Sequence, residues 1–552
     1  MKIFIPFFLA VAFHIQAVSA PVHPWEVSTL TFTAGNTYSN PYRAIPVNGS
    51  NDLLAVTFTG ISGEAEGKII TLLGCWNGGK EWIVNFASPC TGKWRYKSVS
   101  ADSRMNGKKG MMEVIPWTQE DLRSNPVRRG FVRVHKGDDR AGRYFEYADG
   151  TPFLWVGDTW WNWTKRSIHF ETYATLVDDR AAKGFNVGQL FVPGNGWGSE
   201  SSALDTTYSV LDPKHIQHVE RMIRYANDRG ITVWIHGWWS RRNLDQAVGE
   251  EKMKRWWRYL VHRFAAYNVI WVLAGEYNMF NNGGFTLSFW NNLGEMIKKE
   301  DPYDRIVSTH NTPPFWDGGS DAPQWSTGSV FHQSPWLDYN QSQTGHGRYA
   351  NEMIPAVVAE DYARIPPKPI VVTEPWYEFV EGNPTGPDVR LAAWGAILSG
   401  AAGHTYGGGH VWLASVPESP GGGGPWPLEE GFKRTTYDYE GAVSMGVLSQ
   451  FFKEIQWWNL SPHPELIADY PQPFCLAIPG KEYLVYARYG GYLRVNLQSR
   501  DRFSYYWLDP RTGKKYRSQV MSGSDYAEFR APESYPAVTE LNDWVLYIRK
   551  DE

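Results

Sequence analysis

Val269-Ile270-Trp271-Val272-Leu273-Ala274-Gly275-Glu276-Tyr277-Asn278 is an apolar run that ends on a carboxylate. An uninterrupted stretch of Val, Ile, Leu and Trp suits a strand covered on both faces, as in a parallel sheet sheathed by helices. Pro369-Ile370-Val371-Val372-Thr373-Glu374-Pro375-Trp376 repeats the pattern downstream. Working outward, the remaining strand candidates are Phe153–Val156, Val187–Val192, Thr232–Ile235, Ile306–Thr309, Val330–Phe331 and Gly403–Tyr406. Helical periodicity fills the gaps. One helix puts Ile216, Val219, Met222, Ile223 and Ala226 on one face and stops at Gly230; another carries Met253, Trp256, Trp257, Leu260, Val261 and Phe264. Eight strands alternating with helices predict an α/β fold, a (β/α)8 TIM barrel with loop insertions. A doubly wound open sheet is the competing fold, but no glycine-rich phosphate motif follows the first strand.

The flanks read differently. From Trp25 to Ile115 short alternating runs broken by Gly, Asn and Ser predict an all-β sandwich, and the same rhythm returns after Asn459 in Glu482–Ala487, Tyr492–Val495 and Trp544–Ile548. The expected division is residues 1–20 as a signal peptide, 21–120 as an N-terminal β-sandwich, 121–458 as the barrel and 459–552 as a C-terminal β-sandwich. The leader reading rests on Lys2, the apolar stretch Ile3–Phe13 and the small residues Val18-Ser19-Ala20, and it predicts a secreted or periplasmic protein. No later apolar run approaches the ~20 residues of a membrane span. The Gly421–Gly424 run with Pro425 and Pro427 reads as a surface loop.

Composition narrows the partners. With 54 Lys+Arg against 58 Asp+Glu and no basic run, nucleic acid is not expected. Three cysteines make no zinc spacing and no disulfide framework; Cys75 and Cys90 could pair across a hairpin, or all three could be buried thiols. No metal or cofactor is expected. The 28 Trp, 30 Tyr and 26 Phe exceed what a core alone explains where Trp residues come in pairs beside polar loops, because each indole N–H needs a partner. Trp160-Trp161 and Trp238-Trp239 are such pairs, and sugar rings stack on such surfaces.

Glu276 and Glu374 directly follow the fourth and seventh strands. In a parallel barrel that end of the strands builds the active site. Cleavage of a glycosidic bond needs two carboxyl groups flanking the anomeric carbon, one to give a proton and one to attack or to activate water. Two strand-terminal glutamates meet that need, and Trp271, Trp376 and Tyr277 are rings that could desolvate one of them. Glutamates closing strands four and seven resemble the clan A retaining glycosidases. That resemblance implies Glu276 as acid/base and Glu374 as nucleophile. Gly275 stands where the clan usually has Asn, and Asn278 follows. More specifically, Phe153–Trp161, Ala274–Asn278, Glu374–Glu378 and Gly403–Gly407 resemble the apiosidase-like catalytic family. Cys75-Trp76-Asn77-Gly78-Gly79 and Gly92–Tyr96 are similar to the sandwich commonly fused ahead of it, and Trp507–Gly513 with Asp543–Leu546 to a trailing domain labelled collagen-binding.

Strand position nominates the supporting residues. Asp158 would end strand one, where it could bind sugar hydroxyls or cap the next helix. Trp160, Trp161, Trp238 and Trp376 would stack on sugar, and Asn278 would contact it. His236, His332 and His404 would end strands three, six and eight and could bond hydroxyls or hold a glutamate. Glu378 is the fallback catalytic carboxylate, but four residues past Glu374 it is expected to point away. The competing functional readings are a non-catalytic carbohydrate-binding protein on a barrel scaffold and a collagen-directed protein; no His-Glu-x-x-His or Gly-x-Ser-x-Gly motif supports a protease.

Overall fold

The computed structural model describes residues 22–44, 53–194, 200–279, 284–314, 324–417, 434–532 and 542–551. The expected leader and the Gly421–Gly424 loop lie outside the described residues. The α/β barrel flanked by β-domains is present. Its strands are Trp155–Trp160, Val187–Phe191, Thr232–His236, Val269–Val272, Val307–Ser308, Asn340–Gln343, Ile370–Glu374 and Gly403–Tyr406, paired in parallel from the fifth back to the first and on through the eighth and seventh to the sixth. Between strands five and six the closure is made by Asp338: its N–H donates to Val307 O at 2.9 Å and its carboxylate accepts from Val307 N at 2.8 Å.

Side chains alternate between the barrel interior and the helix layer. Trp155, Val187, Trp234, Ile270, Ile306, Tyr339 and Val371 point in and pack together. Two of the indoles are satisfied within that core, Trp155 Nε1 on Thr405 Oγ1 at 2.9 Å and Trp234 Nε1 on the Tyr339 hydroxyl at 2.7 Å. The outward set meets helices such as Pro213–Asp228, begun by Pro213 and capped by Asp212, whose carboxylate accepts from Lys214 N and His215 N.

Two strand expectations need correction. Val330–Phe331 is not the sixth strand; it belongs to a short helix, Gly328–Phe331, and the strand is Asn340-Gln341-Ser342-Gln343. This strand carries no apolar side chain, so hydrophobic patterning has nothing to detect, yet all four residues are buried. Phe153 is also not in strand one. It pairs with Phe145 in a small three-stranded sheet whose aromatic rings join the interior cluster.

The N-terminal domain stacks a sheet of Ser28–Thr33, Glu81–Phe86 and Cys75–Gly78 on a sheet of Ile69–Leu73, Ala55–Ser62, Gly92–Val99 and Lys109–Val114. The former packs on the barrel helices through Asn85, which donates to Glu220 Oε1 at 2.7 Å and Arg263 O at 3.1 Å. The C-terminal domain is tied by a buried two-pronged pair, Arg390 to Asp543 at 2.7 and 3.0 Å. Cys75, Cys90 and Cys475 are free thiols. Among the described residues no helix is long and apolar enough to cross a membrane.

Candidate active site

Glu276 sits where the chain leaves strand four, and backbone bonds on both sides fix it. Gly275 N donates to Trp238 O at 2.8 Å and Ser240 N to Gly275 O at 3.0 Å; on the other flank Tyr277 N donates to His310 O and His310 N to Ala274 O, each at 3.0 Å. Within this frame Glu276 takes a φ of 45°, a left-handed conformation that costs a residue other than glycine about 1–3 kcal/mol and is found chiefly at functional positions. Its carboxyl accepts from Trp239 Nε1 at 2.9 Å and from Gln343 Nε2 at 3.2 Å. Burial, then the nearby charge of Glu374, push its pKa up to about 7.

Gly275 has a steric cause. A Cβ there would lie 2.3 Å from Cε3 of Trp239, whose indole lies across this backbone position on its way to Glu276. The ring that covers Gly275 comes from the loop after strand three.

Glu374 reaches the same space through a bulge. Ser342 faces Val372 but Gln343 faces Glu374, so Thr373 is the extra residue and the glutamate turns inward. His310 Nε2 is 3.1 Å from Glu374 Oε2, and His346 Nε2 is 3.3 Å from Oε1. The Tyr377 backbone N–H donates to His346 Nδ1 at 3.4 Å, which leaves Nε2 of that ring as the donor to the carboxylate. Burial would raise the Glu374 pKa, but the bonds from His310 and His346 outweigh it and hold it down at about 2. One imidazole, His310, acts on both glutamates, and Glu374 acts on Glu276. The two carboxyls are linked through His310 and are pushed in opposite directions.

The floor beneath them is aromatic. Trp161 donates to the Tyr377 hydroxyl at 3.2 Å, and its ring meets His236 at 4.6 Å and Trp239 at 5.4 Å. His236 is fully buried, and burial, then His310, hold its pKa well below the usual range, so it is neutral. Trp376 is half-buried, its indole N–H tied to Val380 O at 2.9 Å and Glu381 O at 2.8 Å. Asn278 joins the loops after strands four and five, accepting from Thr312 N at 2.8 Å.

Other nominated residues lie elsewhere. Asp158 is in the middle of strand one and faces the helix layer, where it pairs with the buried Arg180 at 2.7 Å and accepts from Trp160 Nε1 at 2.8 Å. Trp160 shares that orientation and packs on Tyr173. Trp238 likewise faces outward and donates to Asp245 at 2.7 Å, so of the Trp238-Trp239 pair it is the second that enters the site. His332 ends no strand; it follows the short helix and bonds Asn340 and Pro366 O. His404 is the second residue of strand eight, and burial takes its pKa to about 3. Trp271 faces Asp301 and Arg305 rather than a glutamate. Glu378 points away, bonded to Tyr406 and to Gly441 N.

Residues 139–459 match the family described as "Apiosidase-like, catalytic domain". The chain belongs to this family. Ahead of this apiosidase-like domain, residues 21–101 match a domain of unknown function, DUF5060, and behind it residues 462–549 match the "Putative collagen-binding domain of a collagenase". No curated protein matches the chain. Among solved structures, a "putative glycoside hydrolase" from Bacteroides vulgatus ATCC 8482 is 20% identical, covers 96% of this chain and 100% of its own, and superposes with a TM-score of 0.67. A glycoside hydrolase family 5 structure from the same organism is 20% identical, with 77% and 95% coverage and a TM-score of 0.65. At these identities the likeness is one of fold.

The apiosidase-like site includes residues that sequence reasoning did not nominate. His310 directly follows the expected fifth strand, Ile306–Thr309, so strand position could have found it. Gln343 was hidden with the misplaced sixth strand. His346 and Tyr377 lie in loops, with no local signal.

Proposed function

We propose that the protein is an exported glycoside hydrolase that cleaves a poly- or oligosaccharide with retention, Glu374 acting as nucleophile and Glu276 as acid/base. The observation that carries this reading is the different donor set of the two strand-terminal carboxyls: His310 Nε2 and His346 Nε2 stand 3.1 and 3.3 Å from Glu374 and hold it ionised, whereas Glu276 is buried with only the neutral donors Trp239 and Gln343, which favours its protonated form.

In the first step Glu374 attacks the anomeric carbon, the glycosyl–oxygen bond breaks, and Glu276 gives its proton to the departing oxygen. As the ester forms, Glu374 loses its negative charge, the Coulombic support for protonated Glu276 disappears, and its pKa falls. Glu276 is then ready to take a proton from the water that frees the sugar and regenerates the Glu374 carboxylate. Retaining pairs stand about 5 Å apart and inverting pairs ~6.5–9.5 Å, so the stereochemical outcome is what the NMR arm of the test below reads. A protein that only held glycan would have no use for a strained glutamate or for this protonation split. Export rests on the N-terminal leader pattern.

The test is a panel of plant and algal polysaccharides assayed for new reducing ends. The substrate found should be turned over by the wild type, bound but not cleaved by Glu374→Gln, and cleaved with overall retention by NMR. In Glu276→Ala, substrates with good leaving groups should still react, with breakdown rescued by azide. Near-normal turnover by Glu374→Gln would refute the assignment.

A further inference from the structure

The two oxygens of the Glu276 carboxyl meet different chemistry. Oε2 accepts from Trp239 Nε1 at 2.9 Å, and Oε1 faces Gln343 Nε2 at 3.2 Å. An indole N–H only donates, so a proton on Oε2 would find no acceptor there. The proton of the acid form belongs on Oε1, which leaves Oε2 as the carbonyl oxygen that the indole bonds. A carboxamide differs from an indole, because it carries an acceptor at one end and donors at the other, and a half-turn about its Cγ–Cδ bond exchanges them.

No second bond fixes which end of the Gln343 amide faces Glu276. Gln343 Oε1 is buried and has no hydrogen-bond partner among the described residues. The backbone that carries it is clamped: Gln343 N donates to Asn311 Oδ1 at 3.2 Å, and Asn311 Nδ2 donates to Gln343 O at 3.3 Å. The amide therefore has one bond to make, to Glu276, whichever way it is turned. Against ionised Glu276, Nε2 makes that bond. Against protonated Glu276 the same orientation sets an amide N–H toward the acid O–H and strands a buried proton, whereas the turned amide accepts it. A stranded buried donor costs more than a half-turn of a terminal amide, whose torsion is broad. Both forms of Glu276 are populated near neutral pH, because burial and the charge of Glu374 on strand seven raise its pKa to about 7 while His310, after strand five, opposes them.

We propose that Gln343 is a positioning residue whose amide turns with the proton of Glu276, its Oε1 accepting from the acid and its Nε2 donating to the carboxylate, and that Glu276 Oε1 is the oxygen that gives and takes the proton. This rests on the acid/base reading of Glu276. In the first step the O–H leaves Gln343 for the departing glycosidic oxygen, which takes the proton as it keeps the electron pair of its bond to the anomeric carbon. The amide then turns Nε2 toward the new carboxylate. When water attacks the glycosyl ester, its proton passes to the same Oε1, its oxygen bonds the anomeric carbon, and Glu374 departs with the ester electron pair. A fixed donor at this position would favour ionised Glu276 throughout and oppose its first task.

Neutron diffraction from deuterium-exchanged crystals of the full chain, at pH well below and well above the Glu276 midpoint, distinguishes nitrogen from oxygen and locates the deuterons. At low pH a deuteron on Glu276 Oε1 should point at Gln343 Oε1; at high pH Gln343 Nε2 should face a bare carboxylate. The same amide end toward Glu276 at both pH values, or a deuteron on Oε2, overturns the proposal. In Gln343→Met, which keeps length but neither donates nor accepts, both forms of Glu276 lose support, so the 13C titration midpoint of its carboxyl, assigned by the signal missing from Glu276→Gln, should stay within about 0.3 unit of the wild type; loss of a fixed donor would raise it by about one unit and overturn the proposal. With thermal melting unchanged, that variant should slow glycosylation and deglycosylation alike, by about threefold to tenfold; a loss confined to one step refutes the two-way role. Deuteron positions and midpoint do not depend on turnover, so a protein that cleaves no glycan would sink the catalytic reading while these two readouts still decide how the amide behaves.

Discussion

Replacing Trp239 with Phe removes one N–H donor from Glu276 while keeping a ring over Gly275. The 2.9 Å bond from the indole stabilises the ionised carboxylate and works against the burial and the Glu374 charge that raise its pKa to about 7. A hydrogen bond to a charged group contributes about 1.5–3 kcal/mol, and one pKa unit corresponds to about 1.36 kcal/mol, so its loss should raise the pKa by roughly one to two units. Gln343 still donates to the other oxygen at 3.2 Å, which favours the lower end. Glu276 must be protonated to act, so activity is present below its pKa and lost as pH rises through it. The alkaline limb of kcat/KM should lie near 7 in the wild type and about one unit higher in Trp239→Phe, with a lower plateau because the acid is weaker. The assay is a pH series of initial rates on an oligosaccharide substrate, with circular dichroism to verify the fold. A limb that stays in place, or moves to lower pH, would refute the positioning of Glu276 by Trp239.

Two further substitutions separate structure from chemistry. Gly275→Ala places a methyl 2.3 Å from the Trp239 ring and should displace the indole, lowering kcat and moving the alkaline limb upward as in Trp239→Phe; an unaltered pH profile would argue against the steric account. Asp158→Asn takes one of two carboxylates from the buried Arg180 guanidinium, which keeps Asp179 and Tyr437 O, and should cost about 1.5–3 kcal/mol in urea unfolding, with kcat per folded molecule unchanged; a fall in kcat without a fall in stability would return Asp158 to the site.

The two glutamates and the barrel were legible because each depends on a local pattern. A strand buried on both faces must be apolar over several residues, and a carboxylate at its end is conspicuous because burying it is costly. The same rule failed at Asn340–Gln343, where buried polar residues are supported by the loop that leads into the strand: His332 bonds Asn340, Thr327 Oγ1 accepts from Gln341 N, and Ser342 donates to Trp325 O. Polar groups paid in this way leave no hydrophobic trace.

Chain order alone therefore determined the three-part architecture, the helical and extended periodicities and the positions of Glu276 and Glu374. Which way each neighbour points was decided by the tertiary structure. Trp160 and Trp161, or Trp238 and Trp239, are equivalent as letters, but strand alternation sends one of each pair to the helices and the other to the cavity. The difference between the two carboxyls likewise has no local origin. His310, His346, Trp239 and Gln343 come from three separate parts of the barrel rim, and only closure of the barrel brings their donors to the two glutamates and drives the acidities apart.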